Sequence, residues 1–64
     1  MAEGNVEVWY SEAGQGFIRD DAGDGLDFSL DDLLNPDESL TLRQGDRVRY
    51  RVEEGTHATA VERA

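Results

Sequence analysis

Three aromatic residues near the N-terminus, Trp9, Tyr10 and Phe17, sit in stretches rich in strand-forming residues. Exposed rings in such settings can stack on flat π systems such as nucleobases. Arg47, Arg49 and Arg51 recur at every second position, which puts three guanidinium groups on one face of a strand. That stripe suits phosphates or an acidic partner, or it pairs across strands with Glu3 and Glu7 if the first and fourth strands are neighbours. Asp20, Asp21, Asp24 and Asp27 crowd carboxylates into one short stretch. They lack the spacing and closing glutamate of a calcium loop, so the reading is an acidic turn and no metal site. His57 is the lone histidine, a solvated loop residue or a base-contacting one. Gly14-Gln15-Gly16 is no phosphate loop, because no helix is expected after it. No nucleophile, base and orienting group stand in a recognisable order, so neither an enzyme nor a cofactor is expected.

Charge sets the terms for any ligand. The formal net charge is −9, from 15 acidic residues against 6 basic ones, and every basic residue is arginine. The distribution is lopsided: the only cation among residues 1–42 is Arg19, whereas residues 43–64 hold the other five arginines. A protein that binds phosphate backbones normally carries a basic face, and this overall field repels nucleic acid. An acid-rich, lysine-free surface fits adaptation to high salt, an arginine-favouring genome, or a selected acidic binding surface. The chain has no cysteine, so no disulfide or thiolate metal site supports it. No apolar run approaches the ~20 residues of a membrane span, and no signal-peptide core is present. The expectation is one domain, 1–64, in a soluble, cytoplasmic, monomeric protein that does not engage a membrane. At this size only about 60% of the unfolded surface is buried on folding, so stability is expected to be marginal.

The elements that must position these residues are strands. Val6, Val8 and Tyr10 alternate with Glu7 and Trp9, predicting a strand over about 4–10. A turn at Ser11 to Gly14 leads to a second strand, Gln15 to Asp20, and the Asp/Gly cluster at 20–25 makes another turn. Leu26, Phe28 and Leu30 alternate with Asp27 and Ser29 in a third strand, and Asp31-Asp32-Leu33-Leu34 forms one short helical turn. A loop from Asn35 to Ser39 follows, with Leu40 and Leu42 expected to tuck back onto the core. Arg47 to Glu53 is a fourth strand that turns Val48, Tyr50 and Val52 inward, and Thr56 to Glu62 is the fifth. The inward set is expected to be Val6, Ile18, Leu26, Phe28, Val48, Tyr50 and Val52. Five short strands with glycine turns imply an all-β protein closed into a small barrel. Periodicity alone does not separate an OB-type barrel from an SH3-like one.

Gly4-Asn5-Val6-Glu7-Val8-Trp9-Tyr10 and Gly14-Gln15-Gly16-Phe17-Ile18 together resemble the first two strands of bacterial cold-shock domains. Those strands read roughly Gly-x-Val-Lys-Trp-Phe and Lys-Gly-Phe-Gly-Phe-Ile. Leu26-Asp27-Phe28-Ser29-Leu30 stands where that family has Val-Phe-Val-His-Phe, and Leu42-Arg43-Gln44-Gly45-Asp46-Arg47-Val48 resembles its Leu-x-x-Gly-Gln-x-Val. After Gly55 the chain departs, with a loop and strand about three residues shorter. The resemblance implies a five-stranded antiparallel OB-type barrel that binds single-stranded RNA or DNA on an aromatic platform flanked by lysines. Under it, Val8 takes the position of the stacking tryptophan, and Gln15 and Phe17 those of the second-strand phenylalanines. Asp27, Ser29 and Leu30 replace the third-strand Phe, His and Phe, and Glu7 and Ala13 replace two lysines.

Candidate nucleic-acid contacts are therefore Trp9, Tyr10, Phe17, Leu30 and His57. Trp9 joins Phe17 on the platform if a bulge shifts the first strand by one residue; otherwise it caps the barrel interior or its edge. Tyr10 packs at a barrel end or meets a base. The function implied by the resemblance is single-stranded nucleic-acid binding through a weakened surface. The alternative is an acidic protein-interaction module on the same barrel, recognising a protein partner and binding no nucleic acid.

Overall fold

A computed structural model describes residues 2–64. Its strands are β1 (Ala2–Tyr10), β2 (Gln15–Asp20), β3 (Gly25–Ser29), β4 (Arg47–Glu53) and β5 (His57–Arg63). They close into a barrel in the order β1-β2-β3-β5-β4. The β1–β2, β2–β3, β1–β4 and β4–β5 pairs are antiparallel. The β3–β5 pair, held at Asp27↔His57, is parallel, so the sheet is mixed where a fully antiparallel one was expected. A long connection causes this. It runs from β3 across the barrel end to β4, and the β4–β5 hairpin then returns β5 alongside β3. The fold is all-β, and its topology fits a small OB-type barrel.

Period-two alternation builds the interior. Val6, Ile18, Leu26, Phe28, Val48 and Tyr50 are buried as their strand patterns predict, joined by Leu33, Leu42, Ala58 and Val61. Val52 departs from the expectation, remaining 46% exposed. Val52 lies beyond the described β1–β4 pairing, which ends at Ala2↔Tyr50, and among the described residues it pairs with β5 alone. Leu40 is also exposed, at 84%, whereas Leu42 is buried. A 3-10 turn over Pro36–Leu40 turns Leu40 outward before the chain re-enters the core. A register shift between Arg49 and Arg51 on the β4–β5 ladder breaks the alternation in β5. Ala60 there has φ 52°, and the buried residues Ala58 and Val61 fall three apart instead of two.

A second irregularity positions the candidate site. The β1–β2 register runs Val6↔Ile18 and then Val8↔Phe17, so Glu7 and Val8 together oppose Phe17 in a β-bulge. The bulge reverses the phase of β1: Val8 and Tyr10 join the outer face and Trp9 turns inward over Gly16. A Cβ at Gly16 would lie 2.6 Å from the Val8 carbonyl oxygen and 2.7 Å from Trp9 Cε3, so only glycine admits the indole there.

Candidate nucleic-acid interface

The outer surface of β1–β2–β3 is laid out in rows by strand register. One row is Tyr10, Gln15 and Ser29; the next is Val8, Phe17, Asp27 and, through the parallel pair, His57. Phe17 is 47% exposed and Tyr10 56%. They are diagonal cross-strand neighbours, a spacing of about 7–8 Å between α-carbons that long and aromatic side chains can bridge. Leu30 follows β3, 43% exposed, where Asp32 ends the strand by accepting hydrogen bonds from the Ser29 N–H at 2.8 Å and Ser29 Oγ at 3.1 Å. The Leu30 N–H donates to the Gly14 carbonyl at 2.9 Å, tying Leu30 to the β1–β2 turn. Tyr10, Phe17 and Leu30 thus all lie on the outer side of β1–β3, with Gln15 and Ser29 between Tyr10 and Leu30, and open hollows lie along this side. One hollow, of about 440 Å³, runs from the β1–β2 turn to Leu30; the other, of about 420 Å³, lies beside Phe17 against Asp27 and Thr56.

Trp9 does not share this surface. Its ring stacks on buried Phe28, with centroids 5.1 Å apart and an interplanar angle of 14°, and its Nε1–H donates to the Ser39 carbonyl at 3.0 Å. The bulge that could have moved Trp9 outward moves Val8 outward instead. Trp9 therefore closes the barrel against the 36–40 turn, as the interior-capping alternative described. His57 is likewise no free loop residue. It opens β5, with Nδ1 3.4 Å from Asp27 Oδ1 and Nε2 3.2 Å from Asp32 Oδ1. Burial pulls the His57 pKa down, but the Asp32 charge and the hydrogen bonds to Asp27 and Asp32 outweigh it, so the ring titrates above its ordinary value. Among the candidates, Tyr10 and Phe17 are neighbours, Leu30 lies farther along the same side beyond Gln15, His57 marks the edge of this face, and Trp9 lies behind it.

The charges around these rings are the part sequence reasoning missed. Arg19, two residues after Phe17 on the same face of β2, is taken by Glu7. Its Nη2 lies 2.9 Å from both Glu7 carboxylate oxygens, its Nε lies 3.2 Å from Oε1, and its Nη1 donates to the Gly23 carbonyl at 2.9 Å. Lining up the β1–β2 hairpin around a bulge was the one signal that could have revealed the pair. Of the arginine stripe, Arg47 binds Asp21 through two 2.7 Å hydrogen bonds and Glu3 through one of 3.2 Å. Its hydrogen bonds hold the Asp21 pKa below the usual carboxylate range. Arg49 lies a long 3.9 Å from Glu62. The expected pairing with Glu3 is present, but Glu7 pairs with Arg19 instead of the stripe. Because β4 sits between β1 and β5, the stripe faces away from Phe17.

Asp20 Oδ1 accepts the Ala22 and Asp24 N–H groups and so shapes the β2–β3 turn. Among the described residues, no three groups are gathered as metal ligands, and no helix is long and apolar enough to cross a membrane. No protein-family model matches the chain, nor does any curated protein.

Proposed function

We propose that the chain is a diverged cold-shock-like barrel that binds single-stranded RNA or DNA on the outer face of β1–β3, by stacking more than by phosphate contact. One observation carries this reading: Phe17 and Tyr10 stand exposed and diagonal to each other on the open face of an OB-type barrel. Each base stacked on an aromatic ring contributes ~1–3 kcal/mol whatever its sequence. Two rings give a shallow platform, and Val8, Gln15, Asp27 and Ser29 stand where the resembled family would place further rings or a histidine. Glu7 occupies Arg19, so affinity is low at low ionic strength and less salt-dependent than in a lysine-bearing barrel.

A titration of a fluorescently labelled, mixed-sequence heptamer at low and high salt, followed by anisotropy, tests this. Phe17→Ala is expected to remove most of the binding, and Asp27→Phe to increase it. Tight binding left unchanged by Phe17→Ala would overturn the stacking reading. A second reading rests on a separate observation: beside the rings, Asp27 and Asp31 leave the face acidic, and Arg19 is paired with Glu7. Such a surface suits a basic protein partner. Binding of an arginine-rich peptide to that face, with no binding of single strands, would favour this alternative.

A further inference from the structure

We infer that the hollow beside Phe17 selects guanine: the ring stacks the base, and the Asp27 carboxylate accepts both its ring N1–H and its exocyclic amine. This rests on the stacking reading above and names the ligand that the same face prefers. Asp27 lies directly across from Phe17 in the β2–β3 register, so a base seated on the ring meets the carboxylate along one edge. The hollow there, about 420 Å³, is lined by Phe17, Gly25, Leu26, Asp27 and Thr56, with room for a base.

The carboxylate is held but not used up. The Asp27 N–H donates to the Thr56 carbonyl at 3.0 Å, which fixes the backbone from which it projects. His57 Nδ1 lies 3.4 Å from Oδ1, and Oδ2 has no hydrogen-bond partner among the described residues. Its side chain is 58% exposed. An ionised carboxylate is acceptor-only and offers about four lone-pair sites on its two oxygens, enough for His57 and a base together.

Base edges differ in how they meet such a group. Guanine presents two donors side by side, matched to two carboxylate oxygens. Cytosine and adenine present one amine beside a ring lone pair. Uracil and thymine present one N–H between two carbonyl oxygens, which a carboxylate repels. Recognition through the edge needs no phosphate contact, so it survives on a face whose cation is neutralised. A well-made bidentate contact discriminates by ~1–3 kcal/mol, which corresponds to about fivefold to 150-fold in affinity, with tenfold toward the lower end of that range.

The test compares three labelled heptamers by anisotropy: thymidine throughout, the same with guanine at two positions, and the same with hypoxanthine there. Hypoxanthine lacks only the exocyclic amine. Guanine is expected to bind about tenfold tighter than thymidine, and hypoxanthine to lose most of that gain. In Asp27→Asn the amide offers one acceptor and one donor, so the guanine preference is expected to vanish. Asp37→Asn, on the exposed 36–40 turn, removes the same charge elsewhere and is expected to raise binding of all three strands alike. Unlabelled guanosine as competitor separates the sources. Displacement by the nucleoside, with none by thymidine, shows that the base alone suffices; displacement only by a strand shows that the base is read within a chain; either supports the proposal. Equal affinity for the thymidine and guanine strands overturns it, as does a preference that persists in Asp27→Asn. If no strand binds, or if Phe17→Ala changes nothing, the stacking reading itself falls and the guanine site with it. If Phe17→Ala weakens every strand and guanine is still not preferred, only the guanine site falls. The hypoxanthine comparison uses the unaltered protein, so it holds even if the Asp27 variant folds poorly.

Discussion

Glu7→Gln should convert Arg19 from a neutralised side chain into a phosphate contact. In the native surface Arg19 is held by three hydrogen bonds to one carboxylate, at 2.9, 2.9 and 3.2 Å. The amide keeps the shape of Glu7 but cancels its charge. Arg19 then keeps the Gly23 carbonyl and at most a neutral amide oxygen as acceptors, and its charge is no longer cancelled by Glu7 on the outer face that holds Phe17. One added phosphate contact steepens the salt dependence of single-strand binding by ~0.7 in the log–log slope. Over a fourfold rise in salt, from 50 to 200 mM, that slope costs the variant an extra factor of ~2.6 relative to the parent. The gain should thus be largest at low salt and shrink as salt rises. The fold should tolerate the change, because an exposed ion pair of this kind contributes ~0–1 kcal/mol. Anisotropy titrations of one labelled heptamer at several salt concentrations give both slopes. A second variant, Glu7→Gln with Arg19→Gln, should return the slope to the parent value. If the single variant leaves the slope unchanged, or the double variant keeps the gain, then Arg19 is not a masked contact and the improvement is only a reduction in overall negative charge.

Three further outcomes follow from the same surfaces. Gly16→Ala should destabilise the barrel by ~1–3 kcal/mol, because its Cβ would overlap the Val8 carbonyl and the Trp9 ring; thermal melting should show it as a drop of ~4–8 °C per kcal/mol. The raised His57 pKa means that the protonated ring favours the folded state. Its contribution should be fully present below the ordinary histidine value and be lost as pH rises through the folded value. The melting temperature of the parent should therefore fall relative to His57→Gln between about pH 5.5 and 8; equal pH profiles would exclude the bridge to Asp27 and Asp32. With a net charge of −9, the melting temperature should rise from low to molar sodium chloride as repulsion is screened beyond a Debye length of ~8 Å at physiological salt; a flat or falling value would show that the acidic surface costs the fold nothing.

Much of the barrel was legible because alternation is a local signal. Val6, Ile18, Leu26, Phe28, Val48 and Tyr50 could be assigned inward from alternation within their strands together with the register of the resembled family, and all six are buried. Val52 continues the same alternation yet is exposed, beyond the described β1–β4 pairing. Phe17 was placed outward by its resemblance to the cold-shock second strand, not by alternation, and the exposure of Tyr10 was hidden because alternation in β1 puts it on the same face as Val6. Trp9 was ambiguous because a bulge inverts the phase of everything after it, and neither Glu7 nor Val8 signals which of them is the extra residue. The His57 bridge was illegible for a different cause. It spans 30 residues to Asp27 through a parallel pair, and nothing near His57 in the sequence specifies that contact.

The division of labour between the two sides of each strand explains how a barrel of this kind can persist while its surface changes. On β2, Gly16 and Ile18 face the interior, where steric overlap constrains them, while Gln15, Phe17 and Arg19 face solvent. Substitution at an outward position disturbs no core contact, so it is limited only by what the surface must bind. Two outward acidic residues have the same electrostatic effect. Glu7 neutralises the cation nearest Phe17, and Asp27 places a carboxylate at the edge of the ring. Both reduce attraction to phosphate and leave the π face open. Phe17 and Tyr10 are large rings left exposed on this face, and the proposed stacking gives both of them a use. Exposed rings combined with a paired arginine suit the proposed contact with bases better than contact with a phosphate backbone. That makes the discriminating measurement the identity of the base that binds, not the strength of binding at a single salt concentration.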